Sequence, residues 1–226
     1  MKKNWGLLGA LMILMVVQAQ QNTVPMKEWQ GNTKVPFILF FSGDGGLNTF
    51  SSNLCSTLAN KGYGISAVDS KKYFWNKKSP QQLATDMAGY LHKILDKRPN
   101  THFVIAGFSF GADAVPFLVN RLPADLKNKL YRAIMIEPST STDLEIHLAD
   151  MVGRSHVKRS LDVIAEINKI ENTQTLLLMG NDTRDFPSSQ LITKHLRIQV
   201  LKGDHHFDGH EDEVANAVIS ELTSHH

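Results

Sequence analysis

Apolar positions along this chain gather into short runs separated by stretches of helical spacing. Val35–Phe41 (VPFILFF), Gly64–Val68, His102–Ala106, Leu130–Ile136, Thr175–Met179 and Arg197–Leu201 are such runs. Short apolar runs without strict alternation mark strands buried on both faces. Between them the spacing turns helical. Leu47–Lys61 places Phe50, Leu54, Leu58 and Ala59 on one face and ends at Gly62, a C-cap residue. Ser79-Pro80 opens a helix that runs to about Leu95, with Ser79 as N-cap and Pro80 at the first helical position. Further helices are expected over Ala112–Asn120, around Val163–Lys169 and over Glu211–Leu222. Residues 20–34 are polar and contain Pro25, which fits a leader or an edge strand. Glu137–Asn172 is the least regular stretch.

Strands alternating with helices imply an α/β fold, with a mostly parallel sheet covered on both faces. No repeat or linker-like composition interrupts residues 35–226, so one domain is expected there. In such sheets ligands sit beyond the carboxyl ends of the strands. The residues that follow each strand are therefore the ones to inspect.

The N-terminus departs from this pattern. Lys2 and Lys3 precede an apolar run, Trp5–Val17, and Val17-Gln18-Ala19 carries small or β-branched residues where a signal peptidase would cut. The run falls short of the roughly 20 residues that span a bilayer. Residues 1–19 read as a secretory signal, and the protein as exported and periplasmic. This changes the meaning of the charge. The chain has 24 basic and 22 acidic residues, a formal +2. The excess is Lys2 and Lys3, so the mature chain is formally neutral and gives no bulk electrostatic case for nucleic acid. Cys55 is the sole cysteine, which excludes an intrachain disulfide.

Gly107-Phe108-Ser109-Phe110-Gly111 is G-x-S-x-G between an apolar strand and a helix, the context that a nucleophile elbow needs. Ser109 is the candidate nucleophile. It requires a base and an orienting acid, which follow in the order Ser, Asp/Glu, His. Asp182 comes directly after Thr175–Met179 and its Gly180-Asn181 end, and is the favoured acid. Asp185 is the alternative. His205 and His206 follow Arg197–Leu201. Position allows either as the base; Asp-His-x-Phe-x-Gly at 204–209 resembles the segment after the last strand in small α/β hydrolases, and that resemblance implies His205 as the base, with His206 shaping the pocket. An oxyanion needs preorganised donors. Phe110 N–H is one, and Gly43 or Asp44 in the Ser42–Gly46 loop is the other. Asp44 and Asp69, each just past a strand, are candidates to meet a cationic substrate group.

Competing chemistries fit less well. The Ser42–Gly46 loop lacks the G-x-x-x-x-G-K-[ST] spacing of a phosphate cradle. The His205–Asp212 cluster offers no H-x-x-x-H or H-E-x-x-H spacing on a helix. No metal and no cofactor is expected. Acids at Glu211 to Asp212 fit a solvated helix start. His225-His226 reads as a frayed end.

The ordered set of motifs resembles the bacterial virulence protein VirJ and the carboxyl half of AcvB. The pieces that carry the resemblance are Phe41–Gly46, Val68–Ser70 with Tyr73-Phe74-Trp75, Ser79-Pro80 with Asp86, and Gly107–Asp113. Asp143–Leu148 with Gly153, and His205–Gly209, complete it. Leu47 stands where that family usually has Trp, and Cys55 is alone where relatives often have a disulfide pair. The resemblance implies an α/β-hydrolase fold with little or no lid domain. It implies hydrolysis of aminoacylated phosphatidylglycerol in AcvB-like members, with Ser109 and His205 as the catalytic pair. In VirJ-like members it implies a periplasmic role beside type IV secretion.

Two functions follow. One is an exported serine esterase acting on an ester or lipid headgroup, with peripheral membrane contact. The other is a non-enzymatic accessory protein that binds secretion-system proteins and retains the fold. Tyr73-Phe74-Trp75 is then either a contact patch or a loop packed over the sheet end.

Overall fold

A computed structural model describes residues 24–99, 101–147, 158–183 and 186–224. The expected signal segment 1–19, the alternative acid Asp185, Leu148 and Gly153 of the family motifs, and His225-His226 lie outside the described residues.

In chain order the elements are β1 (Met26–Trp29), β2 (Phe37–Phe41), α1 (Thr49–Asn60), β3 (Ile65–Val68), α2 (Ser70–Tyr73) and α3 (Pro80–Asp96). They continue with β4 (Phe103–Phe108), α4 (Phe110–Arg121), α5 (Ala124–Lys127), β5 (Leu130–Ile136), β6 (Ser141–Thr142) and β7 (Leu161–Asp162). The last are α6 (Val163–Ile167), β8 (Thr175–Gly180), β9 (Leu196–Leu201) and α7 (Glu211–Thr223). Seven strands form one sheet in the order β1-β3-β2-β4-β5-β8-β9. Every pairing in it is parallel except β1 with β3. Of the two readings open for residues 20–34, Met26–Trp29 takes the edge strand.

The continuous apolar runs are explained by burial on both faces. In β2, Phe37, Leu39 and Phe41 enter one core and Ile38 and Phe40 the other. The first core is closed by α3 and α4 through Leu83, Met87, Leu91, Val115 and Leu118. The second is closed by α1 and α7 through Leu54, Leu58, Val214 and Val218. Each such buried side chain contributes about 1.5–3 kcal/mol relative to exposure. The β9 strand is the exception because it is an edge: none of its residues is fully buried, and Ile198 and Val200 remain exposed.

Caps fix where the helices start. Asn48 accepts from Ser51 N–H at 3.0 Å to begin α1. Ser79 and Gln82 form a reciprocal capping box at α3, with Pro80 in its first turn. Acidic Glu211, Asp212 and Glu213 open α7, where the helix dipole favours them. The helix expected from Ala112 starts at Phe110, because the chain turns at Ser109.

Candidate active site

The carboxyl ends of β2, β4, β5, β8 and β9 converge on a cleft of about 1020 Å³ lined by Ser109, Glu137 and His205 among others. Ser109 occupies φ 54°, ψ −123°, between the end of β4 and the start of α4. This left-handed conformation costs about 1–3 kcal/mol for a non-glycine residue. The flanking glycines make it possible. A Cβ on Gly107 would lie 2.3 Å from the Gly111 carbonyl oxygen, and one on Gly111 would lie 2.3 Å from that of Phe41. Strand, elbow and helix are therefore pressed together at distances only glycine allows. Ser109 N–H donates to the Ile136 carbonyl at 2.8 Å, which ties the elbow to the end of β5.

His205 reaches the serine from the loop after β9. Its Nε2 lies 2.9 Å from Ser109 Oγ. Its Nδ1 lies 3.1 Å from Oε2 of Glu137. The ring is held against Phe108 (5.3 Å between centroids) and edge-on to His206 (5.3 Å). The imidazole is half-exposed whereas the Glu137 side chain is only 3% exposed. The carboxylate is thus anchored inside and the imidazole faces the cleft.

The expectation for the acid is corrected by this geometry. Glu137, not Asp182, holds the imidazole. Glu137 is the first residue after β5, the strand beside β4, and so stands next to the serine. Its backbone is held at φ 55° by an N–H bond to the Leu178 carbonyl at 2.9 Å. Oε1 accepts from Gly180 N–H, which leaves Oε2 for the histidine. Asp182 lies farther along, in the exposed turn after β8, where its N–H donates to the Gly203 carbonyl at 3.0 Å. It reaches the cleft rim but makes no hydrogen bond with His205. The signal for Glu137 was present in the sequence: an acid directly after an apolar strand, between Ser109 and His205 in order.

The oxyanion candidates are brought to the serine. Gly43 sits so close that a Cβ on it would lie 3.5 Å from Ser109 Cβ. Gly46 N–H closes the loop onto the Gly43 carbonyl at 3.0 Å. Buried Ser42 locks the loop from behind, its Oγ accepting from Ser70 N–H at 3.0 Å. Phe110 N–H is the first of α4 and has no intrahelical acceptor by position. Gly43 and Asp44 line the same cleft.

The substrate-binding candidates divide. His206 lines the cleft and packs edge-on against Phe50 and Phe108. Asp69 is corrected: it caps α2 by accepting from Lys72 N–H at 3.3 Å and pairs with Lys72 Nζ at 2.7 Å. It lines a separate hollow behind the Ser42–Gly46 loop with Lys27 and Leu47. Its side chain is spent on the turn that follows β3.

One contributor was not anticipated. Asp113, in the first turn of α4, accepts from both Ser139 N–H and Ser139 Oγ at 2.7 Å. This pins the Glu137-Pro138-Ser139 turn to the helix that carries the nucleophile. Burial pushes its carboxyl up to about 7, against the pull of those two hydrogen bonds.

The cleft is acidic. Among the described residues eight carboxylates line it, against two cationic side chains, Lys158 and Arg159. Five of the eight are committed: Glu137 and Asp113 as above, Asp143 to Ser160, Asp162 to Ala165 N–H, and Asp204 to His206 N–H. Asp44, Glu145 and Asp182 make no side-chain hydrogen bond or ion pair among the described residues, and face the cleft with their charge unspent. Among the described residues no group of histidine, cysteine and carboxylate side chains is arranged to hold a metal ion.

Sheet order, elbow and the serine–histidine–carboxylate chain define an α/β-hydrolase fold, and solved structures agree. The chain is similar to the enol-lactonase from Burkholderia xenovorans LB400 (TM-score 0.62, 14% identity, 89% of this chain and 96% of that one). It is similar to Est1E from Butyrivibrio proteoclasticus (TM-score 0.61, 14% identity, 89% and 96%). Carboxylesterase CesB from Bacillus subtilis is also similar (TM-score 0.58, 14% identity, 89% of each chain). At these identities the likeness speaks for the fold. No curated protein matches the sequence significantly. The family model for the bacterial virulence protein VirJ matches residues 36–226, and the chain belongs to that family.

Proposed function

We propose that this protein is an exported serine esterase. The observation that carries this reading is the hydrogen-bonded chain from Ser109 Oγ through His205 to Glu137, at 2.9 and 3.1 Å. Ser109 Oγ attacks the ester carbonyl carbon while its proton passes to His205 Nε2. The tetrahedral oxyanion is met by the N–H groups of Phe110 and of Gly43 or Asp44. Collapse expels the alcohol, which takes the proton from Nε2. Water then repeats the sequence on the acyl-enzyme and regenerates Ser109. Glu137 keeps the proton of the resting imidazole on Nδ1 and stabilises the imidazolium that forms.

The substrate class follows from the lining. Unspent Asp44, Glu145 and Asp182 favour an ester that carries a cationic group near the scissile carbonyl. An aminoacyl ester of phosphatidylglycerol has this form, with its ammonium one carbon from the carbonyl. The test is lipid analysis of vesicles carrying such esters, incubated with wild type and Ser109→Ala. Release of free amino acid by wild type alone is expected, together with labelling of Ser109 by a fluorophosphonate. Absence of both labelling and turnover, on this lipid and on a chromogenic short-chain ester, would refute the enzyme reading.

A further inference from the structure

The rim of the cleft carries a feature that the serine machinery does not use. Residues 69–80 read DSKKYFWNKKSP, with four lysines and one acid. Tyr73 and Phe74 turn inward and are buried, and the Phe74 ring meets Phe110 edge-on at 5.1 Å. Trp75 turns outward and stays 52% exposed, the one large aromatic so exposed among the described residues. Lys72 pairs with Asp69, and Lys78 lies over the Tyr73 ring, 4.0 Å from Asp86. Lys71 and Lys77 make no ion pair among the described residues. The patch is fixed to the cleft wall. Ile146 N–H donates to the Phe74 carbonyl at 2.9 Å, and Lys78 N–H donates to the Leu144 carbonyl at 3.0 Å. Glu145, Ile146 and His147 of that wall face the cleft.

An exposed indole with lysines on both sides of it in the chain matches the membrane–water boundary. There the indole sits at headgroup depth and the ammonium groups meet lipid phosphates. A protein partner fits less well. Protein interfaces of ordinary size bury about 800 Å² on each side, and lysine is depleted at their centres. Here four lysines lie within four residues of the one indole along the chain. The charges also divide: the Trp75 segment is cationic and the described cleft lining mostly acidic, so an anionic surface is attracted to the segment and not drawn inside.

We propose that the Trp75 patch docks the protein on an anionic bilayer surface, with Lys71 and Lys77 against lipid phosphates and the cleft mouth toward the lipid. This stands on exposure and charge alone, and does not depend on the chemistry assigned to Ser109.

The test is co-sedimentation with vesicles of phosphatidylcholine alone or mixed with phosphatidylglycerol. Wild type, Lys71→Gln/Lys77→Gln, Trp75→Ala and Ser109→Ala are compared in the same chain, so any contribution of Trp5–Val17 is common to all. A lysine at an anionic surface is worth about fivefold in binding. The double substitution therefore lowers partitioning about 25-fold, and Trp75→Ala lowers it about tenfold. Added salt weakens wild-type binding, and Ser109→Ala binds as wild type. All substituted side chains are exposed or partly exposed, and unchanged unfolding temperatures establish that the variants fold. Lys71→Arg/Lys77→Arg retains binding. Equal binding to both vesicle types, or binding unchanged by the lysine and tryptophan substitutions, overturns the proposal. So does binding to neither vesicle, an outcome that leaves the patch to a protein partner. Vesicle binding without turnover would retain the docking surface and discard the esterase reading.

Discussion

Glu137→Gln isolates the part of the site that sequence reasoning placed elsewhere. Gln retains the volume and an oxygen for Gly180 N–H, so the fold should hold. The side-chain amide must then aim its NH₂ at His205 Nδ1. That traps the imidazole with its proton on Nε2, where it donates to Ser109 Oγ and cannot take the serine proton. The variant also loses the carboxylate that faces the imidazolium. Charges about 4 Å apart at an effective dielectric of 20 interact by about 4 kcal/mol. At about 1.4 kcal/mol per decade, kcat should fall about 10³-fold. Because the group acts on the transition state and not on substrate affinity, KM should stay within about twofold. The assay is steady-state hydrolysis of a soluble chromogenic ester, with a denaturant melt to establish folding. Asp182→Asn serves as the paired control and should leave kcat within about threefold, since it touches neither Ser109 nor His205. A collapse of kcat in Asp182→Asn, with Glu137→Gln near wild type, would refute the assignment.

Three further substitutions test the supporting structure. Gly111→Ala places a Cβ 2.3 Å from the Phe41 carbonyl oxygen, and should abolish turnover and lower stability by several kcal/mol, on the order of 4; a wild-type melt would contradict the close approach. Glu221→Ala strips a carboxylate from Arg132, both nearly buried and 3.1 Å apart. It should destabilise by about 3–5 kcal/mol in urea melts, because it leaves Arg132 uncompensated. Asp113→Asn tests a pH effect. The carboxyl stands at about 7 in the folded protein against 3.8 unfolded. Between those values the folded state holds more protons than the unfolded state, so Asp113 makes wild-type stability fall as pH rises. Relative to wild type, Asp113→Asn should therefore gain stability by up to about 1.4 kcal/mol per pH unit between pH 4 and 7, read from urea melts across that range.

Most of the fold was legible because burial on both faces leaves a local mark. Every expected strand is present, with ends shifted by at most two residues. Ser79-Pro80 marked the start of α3 through a cap and a proline, both of which act locally. What was not legible is what local signals do not encode. Met26–Trp29 is short and only partly buried, so the sequence left a leader and an edge strand both open, and antiparallel pairing with β3 decides for the strand. The start of α4 moved from Ala112 to Phe110 because Ser109 adopts a left-handed turn, which the two flanking glycines permit without declaring it. Asp69 lies just past a strand, as an active-site residue would, but its neighbour Lys72 and the short α2 take its carboxylate.

The acid shows the same limit and its consequence. Glu137 and Asp182 both follow apolar strands, and both precede His205 in the chain. What separates them is strand order, which places β5 directly beside β4 and β8 one position farther out. A carboxylate on β5 starts closer to the serine, and the Gly180 N–H at the end of β8 serves as its rear support. The end of β8 is thereby relieved of carrying the acid. Asp182 then faces the cleft with no side-chain partner among the described residues. The acid position and the acidic lining are thus linked: moving the orienting carboxylate inward to β5 leaves the next strand's acid to face substrate. A cationic group near the scissile ester would meet Asp182 and Asp44 from opposite sides of the sheet's centre, where β8 and β2 flank β4 and β5. On this argument Asp44→Asn with Asp182→Asn should raise KM for a cationic ester about tenfold, leave KM for a neutral ester within about twofold, and keep kcat for both. Equal effects on the two esters would mean that the acidic lining plays no part in recognition.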